Sequence, residues 1–158
     1  MTEHLNEAGE PWLLTSVEDG VACATLNRPE ARNALALELR LDLMAFLESL
    51  RTRNDVRVVL IQAAGKSFIA GGDIKVFARG LEMSSEDRST DMKMRATGAG
   101  RLSELIQTLP QPVIVAARGF AVGVGASVVF AADLAMVSEN TKVGLTHVTL
   151  GISPDGAG

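Results

Sequence analysis

Three uninterrupted apolar runs, at residues 58–61, 113–117 and 134–137, alternate along the chain with longer stretches of helical periodicity. Runs of this kind read as strands buried on both faces. Strands separated by helices assemble as parallel β-sheet with right-handed crossovers, which places the chain in the α/β class. At 158 residues it is long enough for one domain with a real core and too short for two.

The remaining elements follow from local chemistry. Residues 12–17 and 21–26 are β-prone runs separated by Glu18-Asp19-Gly20, a hairpin signal. Residues 27–33 carry loop chemistry, with Pro29 resisting strand pairing. From residue 35 to about 53, Leu39, Leu43, Phe46, Leu47 and Leu50 recur at spacings of three and four, predicting a helix. A strand is predicted over 56–62, then a glycine loop at Gly71-Gly72. The polar stretch 79–91 is expected to be a mobile loop or a loosely packed helix. A helix over about 92–109 ends at Pro110-Gln111-Pro112. A strand over 113–117, a glycine-spaced turn over 119–125, a short helix over 126–132 and a last strand over 134–137 complete the pattern, followed by a polar turn at 138–141.

Composition narrows the function classes. A hydrophobic fraction of 47% belongs to a globular protein, and a net charge of -4 offers no footprint for nucleic acid. Charged residues interrupt every apolar candidate for a membrane helix, so no membrane partner is expected. The first ten residues are polar and carry Glu3, Glu7 and Glu10, unlike a secretory signal, and a cytoplasmic location is expected. The lone Cys23 can form neither an internal disulfide nor a metal cluster, and it reads as a small buried hydrophobe. No metal site is expected.

Two glycine segments follow apolar strands and precede helices. In Ile69-Ala70-Gly71-Gly72-Asp73-Ile74-Lys75, paired glycines let the backbone approach a ligand, and Asp73 is placed to cap the next helix. In Gly119-Phe120-Ala121-Val122-Gly123-Val124-Gly125-Ala126-Ser127, unpaired N–H groups at a helix start favour a developing negative charge. Either segment alone could equally be a tight turn. Gly123-x-Gly125 partly matches a dinucleotide fingerprint, but Val128 stands at the third glycine position. Asp133 also comes too soon to be that motif's acidic residue.

Four segments together resemble the crotonase (enoyl-CoA hydratase/isomerase) family, in its order and spacing. They are Leu26-Asn27-Arg28-Pro29-Glu30-Ala31-Arg32-Asn33-Ala34-Leu35, then Phe68 to Lys75, then Pro112 to Gly125, and Leu150-Gly151-Ile152-Ser153-Pro154-Asp155-Gly156. The resemblance implies a crotonase-like ββα spiral, incomplete here. Residues 1–11 would form an N-terminal tail, and 12–158 an acyl-CoA-binding domain whose C-terminal part is absent. It implies an oxyanion hole from the N–H groups of Gly72 and Val124, although the family commonly has glycine where Val124 stands. CoA and substrate contacts are implied for Arg28, Ala31, Arg32, Ala70, Gly71, Asp73, Ile74, Lys75, Gly123 and Ser127. Arg28, Arg32 and Lys75 could instead be solvated surface charges.

Hydratases of the family place two glutamates at positions that here hold Ser127 and His147. Asp155 occupies the position of a catalytic aspartate in isomerase branches, while Pro-Asp-Gly is also ordinary β-turn chemistry. The implied activity is therefore an acyl-CoA isomerase acting through a thioester enolate, with Asp155 as acid/base and His147 assisting. Alternatives are an enoyl-CoA hydratase and a non-catalytic CoA-binding or structural member. No cofactor beyond the CoA thioester substrate is implied, and a homotrimer or hexamer is implied for a full-length protein.

Overall fold

In the computed structural model, residues 4–73, 78, 80, 82–151, 153, 154 and 156 are described. Strands β1 (Leu13–Glu18) and β2 (Val21–Leu26) form the antiparallel hairpin expected from Asp19-Gly20. Both turn residues have positive φ, 50° and 81°, as a tight turn matching the strand twist requires. Strands β3 (Val58–Ala63), β4 (Val113–Ala117) and β6 (Leu134–Val137) then add in parallel, giving the order β1-β2-β3-β4-β6. A second, two-stranded sheet pairs β5 (Phe120–Val122) with β7 (Lys142–Gly144). The α/β reading holds, and the parallel pairing is as the alternation predicts.

Helices α1 (Leu37–Leu50), α2 (Ser85–Gln107) and α3 (Val124–Ala131) supply the second layer. On α1 the apolar stripe Leu39, Leu43, Leu47 and Leu50 is buried. It packs in one core with Ala22, Ala24, Leu26, Val59, Ile61, Val113 and Val115 of the sheet and with Leu102 and Ile106 of α2. Each fully buried leucine contributes about 1.5–3 kcal/mol by leaving water.

Four expectations need correction. The three apolar runs are not buried on both faces: burial alternates along β3 and β4, leaving Val58, Leu60 and Ile114 half-buried because the core covers one face, and all of β6 is exposed. Helix α2 begins at Ser85, not near residue 92, because Ser84 caps it by accepting the Asp87 N–H at 3.1 Å. Its first two turns have no apolar stripe, so periodicity does not reveal them. The short strands β5 and β7 lie where turn and loop are expected, and they exist through pairing with each other. Cys23 is half-buried, on the open face of the sheet, and accepts a 3.4 Å hydrogen bond from Gln62 Nε2. Among the described residues no helix is long and apolar enough to cross a membrane.

Truncating Leu43 to Ala should cost about 2–5 kcal/mol, because the side chain is fully buried between α1 and the sheet. Leu41→Ala on the same helix, 52% exposed, should change stability by less than about 0.5 kcal/mol. Urea unfolding of the two variants tests this placement of the α1 stripe.

Candidate active site

Strands β2, β3 and β4 run parallel, so the segments that leave their carboxyl ends gather on one side of the sheet. In open α/β sheets this is where ligands bind. Leaving β2, the chain makes a 3-10 turn at Pro29–Ala31, and Arg32 and Asn33 both take left-handed backbone, φ 51° and 53°. Asparagine tolerates that region best of the ordinary residues. The fully buried Asn33 side chain then fixes the turn. Its Oδ1 accepts the Arg28 N–H at 2.7 Å, and its Nδ2 donates to the carbonyls of Ala64 and Ser67 at 2.9 and 2.8 Å. All of its amide atoms are thereby used.

The segment after β3 is laced on both sides. Ala70 N–H donates to Arg32 O at 3.2 Å, and Leu35 N–H to Gly71 O at 2.9 Å. On the other side Ile69 N–H donates to Phe120 O, and Ile69 O accepts from Val122 N–H, each at 3.0 Å. Gly72 follows, and among the described residues its N–H donates to no recorded acceptor. After β5, Gly123 turns the chain with φ 56° and ψ -126°, and Val124 opens α3. An N–H at the first helical position has no carbonyl one turn back, and it sits at the positive end of the helix dipole.

The two glycine loops meet here. A Cβ placed on Gly123 would lie 3.6 Å from Gly71 Cα, and one placed on Gly125 would lie 2.5 Å from Ile69 O. Gly125 thus lets α3 press directly on the backbone that leads to Gly72. The Val124 side chain is only 9% exposed and belongs to the core cluster, so its substitution for glycine leaves the N–H available and sends the β-branched bulk inward.

Further predicted residues converge on the same spot. His147 is buried in a 3-10 turn, Thr146–Leu150, rather than in the β-prone stretch its neighbours suggest. Its Nε2 lies 3.9 Å from the Cβ position at Gly123. Ser127 is fully buried on α3. Gly156 packs against it, since a Cβ there would come within 3.3 Å of Ser127 Oγ. Ser153, Pro154 and Gly156 also border a cavity of about 810 Å³, lined by Ser103 and Phe130 among others. Asp155, Ile74 and Lys75 lie outside the described residues, as does the helix that Asp73 was expected to cap.

Arg28 is no solvated surface charge. Its side chain, 13% exposed, bonds Asp73 Oδ2 at 2.8 Å and lies over the Trp12 ring at 4.4 Å. The Ala31 N–H donates to Arg28 O within the turn, whereas Arg32 is exposed. Asn33, Gly125 and the Trp12–Arg28–Asp73 stack are contributors that the sequence reading does not single out. Asn33 next to a proline turn was the available signal. At the opposite end of β3, a hydrogen bond from the Arg53 side chain holds the Asp55 carboxyl down to about 2, away from this site.

Comparison with known proteins identifies the family. The family model described as enoyl-CoA hydratase/isomerase matches residues 16–158. Trans-2-decenoyl-[acyl-carrier-protein] isomerase of Streptococcus mutans is 30% identical over 92% of the chain and 54% of its own length. The 2,3-dehydroadipyl-CoA hydratase of Escherichia coli is 32% identical, with the same coverage of 92% and 54%. The crystal structure of an enoyl-CoA hydratase from Mycobacterium avium subsp. paratuberculosis superposes with a TM-score of 0.77 at 31% identity, over 92% of this chain and 54% of that one. The chain spans about half the length of the relatives it matches.

Gly125→Ala should destabilise the protein by about 1–3 kcal/mol, because its methyl group must displace Ile69. Gly144→Ala in β7, with nothing within 4 Å of the added carbon, should cost under about 1 kcal/mol. Equal effects of the two in denaturant unfolding would remove the packing role given to Gly125.

Proposed function

This chain belongs to the enoyl-CoA hydratase/isomerase family, and on that footing we propose that it works as an acyl-CoA isomerase. The observation that carries the reading is the close approach of Gly71 and Gly123, the residues that immediately precede the two proposed donors, Gly72 and Val124. Two N–H groups aimed at one thioester oxygen stabilise the enolate formed when a neighbouring carbon loses a proton. Preorganised donors of this type contribute roughly 3–4 kcal/mol each to such transition states.

The proposed reaction moves a double bond. A base removes a proton from Cα of a Δ3-enoyl-CoA, and negative charge spreads onto the thioester oxygen between Gly72 and Val124. The same group returns the proton to Cγ, giving the Δ2 isomer. One carboxylate suffices for both halves, and Asp155 is the residue proposed for it. Its described neighbour Gly156 packs against Ser127, three residues into α3 from Val124, which supports reach into the site. A carboxylate near its proton-transfer partner can accept a proton from one carbon and return it to the other. The loops carrying Arg32, Ala70, Ile74 and Lys75 would hold CoA, and the chemistry needs no further cofactor.

A second reading, hydration of a trans-2-enoyl-CoA, draws on one specific observation. His147 Nε2 is buried beside Gly123, where it could activate water. The position that holds the partner glutamate in hydratases is the fully buried Ser127. A serine hydroxyl is a far weaker base than the glutamate carboxylate of that position, which favours isomerisation.

Purified protein supplied with trans-3-hexenoyl-CoA should form the Δ2 isomer. Asp155→Asn should lower kcat by about 10²–10⁴-fold, the usual span for loss of a general acid/base. Formation of 3-hydroxybutanoyl-CoA from crotonyl-CoA, surviving Asp155→Asn and lost in His147→Gln, would instead establish the hydratase. A cleaner probe of the donor is Val124→Pro, since proline fits the first helical position but removes the N–H. It should lower kcat about 10²–10³-fold, whereas Val124→Ala, which loses the same buried side chain but keeps the N–H, should not.

A further inference from the structure

Asp73 directly follows the donor Gly72, so a carboxylate stands one residue from the place where negative charge would develop on the substrate. Left alone it would oppose that charge and leave the donor loop free to turn. The side chain that meets it comes from 45 residues earlier. Arg28 Nη1 donates to Asp73 Oδ2 at 2.8 Å and reaches Ala34 O at 3.4 Å. Both side chains are largely shielded, 13% and 12% exposed, so solvent screens the pair little.

The guanidinium is fixed from behind as well. Its carbon lies 4.4 Å from the Trp12 ring centroid, and His4 stacks on the same indole at 5.1 Å. Trp12 Nε1 donates to Leu5 O at 2.8 Å, and Trp12 O accepts the Asn27 N–H at 2.7 Å. The Arg28 backbone is held in turn by Asn33, whose Oδ1 accepts its N–H. A flat, delocalised cation suits this position: it offers one face to the indole and one edge to the carboxylate. An ammonium group could not do both.

We infer that Arg28 and Asp73 form a positioning pair, seated on Trp12, that aims the Gly72 N–H and cancels the carboxylate's charge beside the substrate oxygen. Neither side chain needs to touch the acyl-CoA. The inference rests on Gly72 being an oxyanion donor, and its test must separate the two ideas.

Infrared spectroscopy of bound butanoyl-CoA, labelled with ¹³C at the thioester carbonyl, reads hydrogen bonding to that oxygen without turnover. In the unmodified protein the carbonyl stretch should fall on binding. Asp73→Asn and Arg28→Gln should each lose most of that fall while the Kd for butanoyl-CoA changes less than about threefold. Isomerase kcat should drop about 10-fold in Asp73→Asn and about 30-fold in Arg28→Gln, which removes the guanidinium and keeps the carboxylate. The double variant should return to about the Asp73→Asn level, since the two residues act as one unit. Arg28→Lys, which keeps the charge and guards against a folding failure, should recover only part of the carbonyl shift.

Unchanged stretches in the variants, additive kcat losses, or a Kd raised tenfold with kcat intact would overturn the pairing and leave the oxyanion reading standing. Absence of any carbonyl shift in the unmodified protein, or of butanoyl-CoA binding, would overturn both.

Discussion

Helix α3 lies against the backbone of Ile69 with no side chain between them at Gly125, and the position of both candidate donors depends on that contact. Ile69 is itself clamped, its N–H and C=O both bonded into the strand Phe120–Val122. The loop that ends at Gly72 and the turn that ends at Val124 are therefore two edges of one hydrogen-bonded unit. A shift of either would break backbone bonds inside the protein, where an unpaired group costs about 1–3 kcal/mol. Rigidity of this kind is what a preorganised donor pair requires, since donors that must reorient during reaction lose their advantage.

The first loop is tied to the same unit through Asn33. Its one amide closes the turn after β2 with one bond and joins it to the segment after β3 with two, replacing the backbone ladder that ends with the strands. Arg28 and Asp73 extend the tie one residue beyond Gly72. The site is thus assembled from the sheet outwards. Parallel strands set the direction, Asn33 and Ile69 join the loops, and glycines allow the joined loops to touch.

How much of this could be read from the chain follows from the range of each interaction. The hairpin at Asp19-Gly20, the leucine stripe of α1 and the strand over residues 134–137 are set by neighbours within a few positions, and local pattern reveals them. Strands β5 and β7 are three residues each and owe their form to pairing across 22 positions, so local chemistry is silent about them. The start of α2 rests on a single serine cap rather than on periodicity. In the site, the two glycine loops were legible because close backbone approach demands a residue type that stands out. The roles of Asn33 and Trp12 were not, because each depends on partners 15 to 34 residues away that no spacing rule connects.

Val124 shows why such a site can change its side chains and keep its chemistry. The donor belongs to the backbone, and its strength comes from standing first in a helix, which any residue but proline preserves. Valine here is turned into the core with Val128 and Ile69 and adds apolar burial at no loss of the N–H. The groups that handle protons and water are side chains and have no such protection. Ser127 and His147 are both buried beside the two glycine loops, so a substitution at either alters the site's surroundings directly. A donor fixed by backbone packing is therefore less exposed to substitution than a group whose chemistry lies in its side chain.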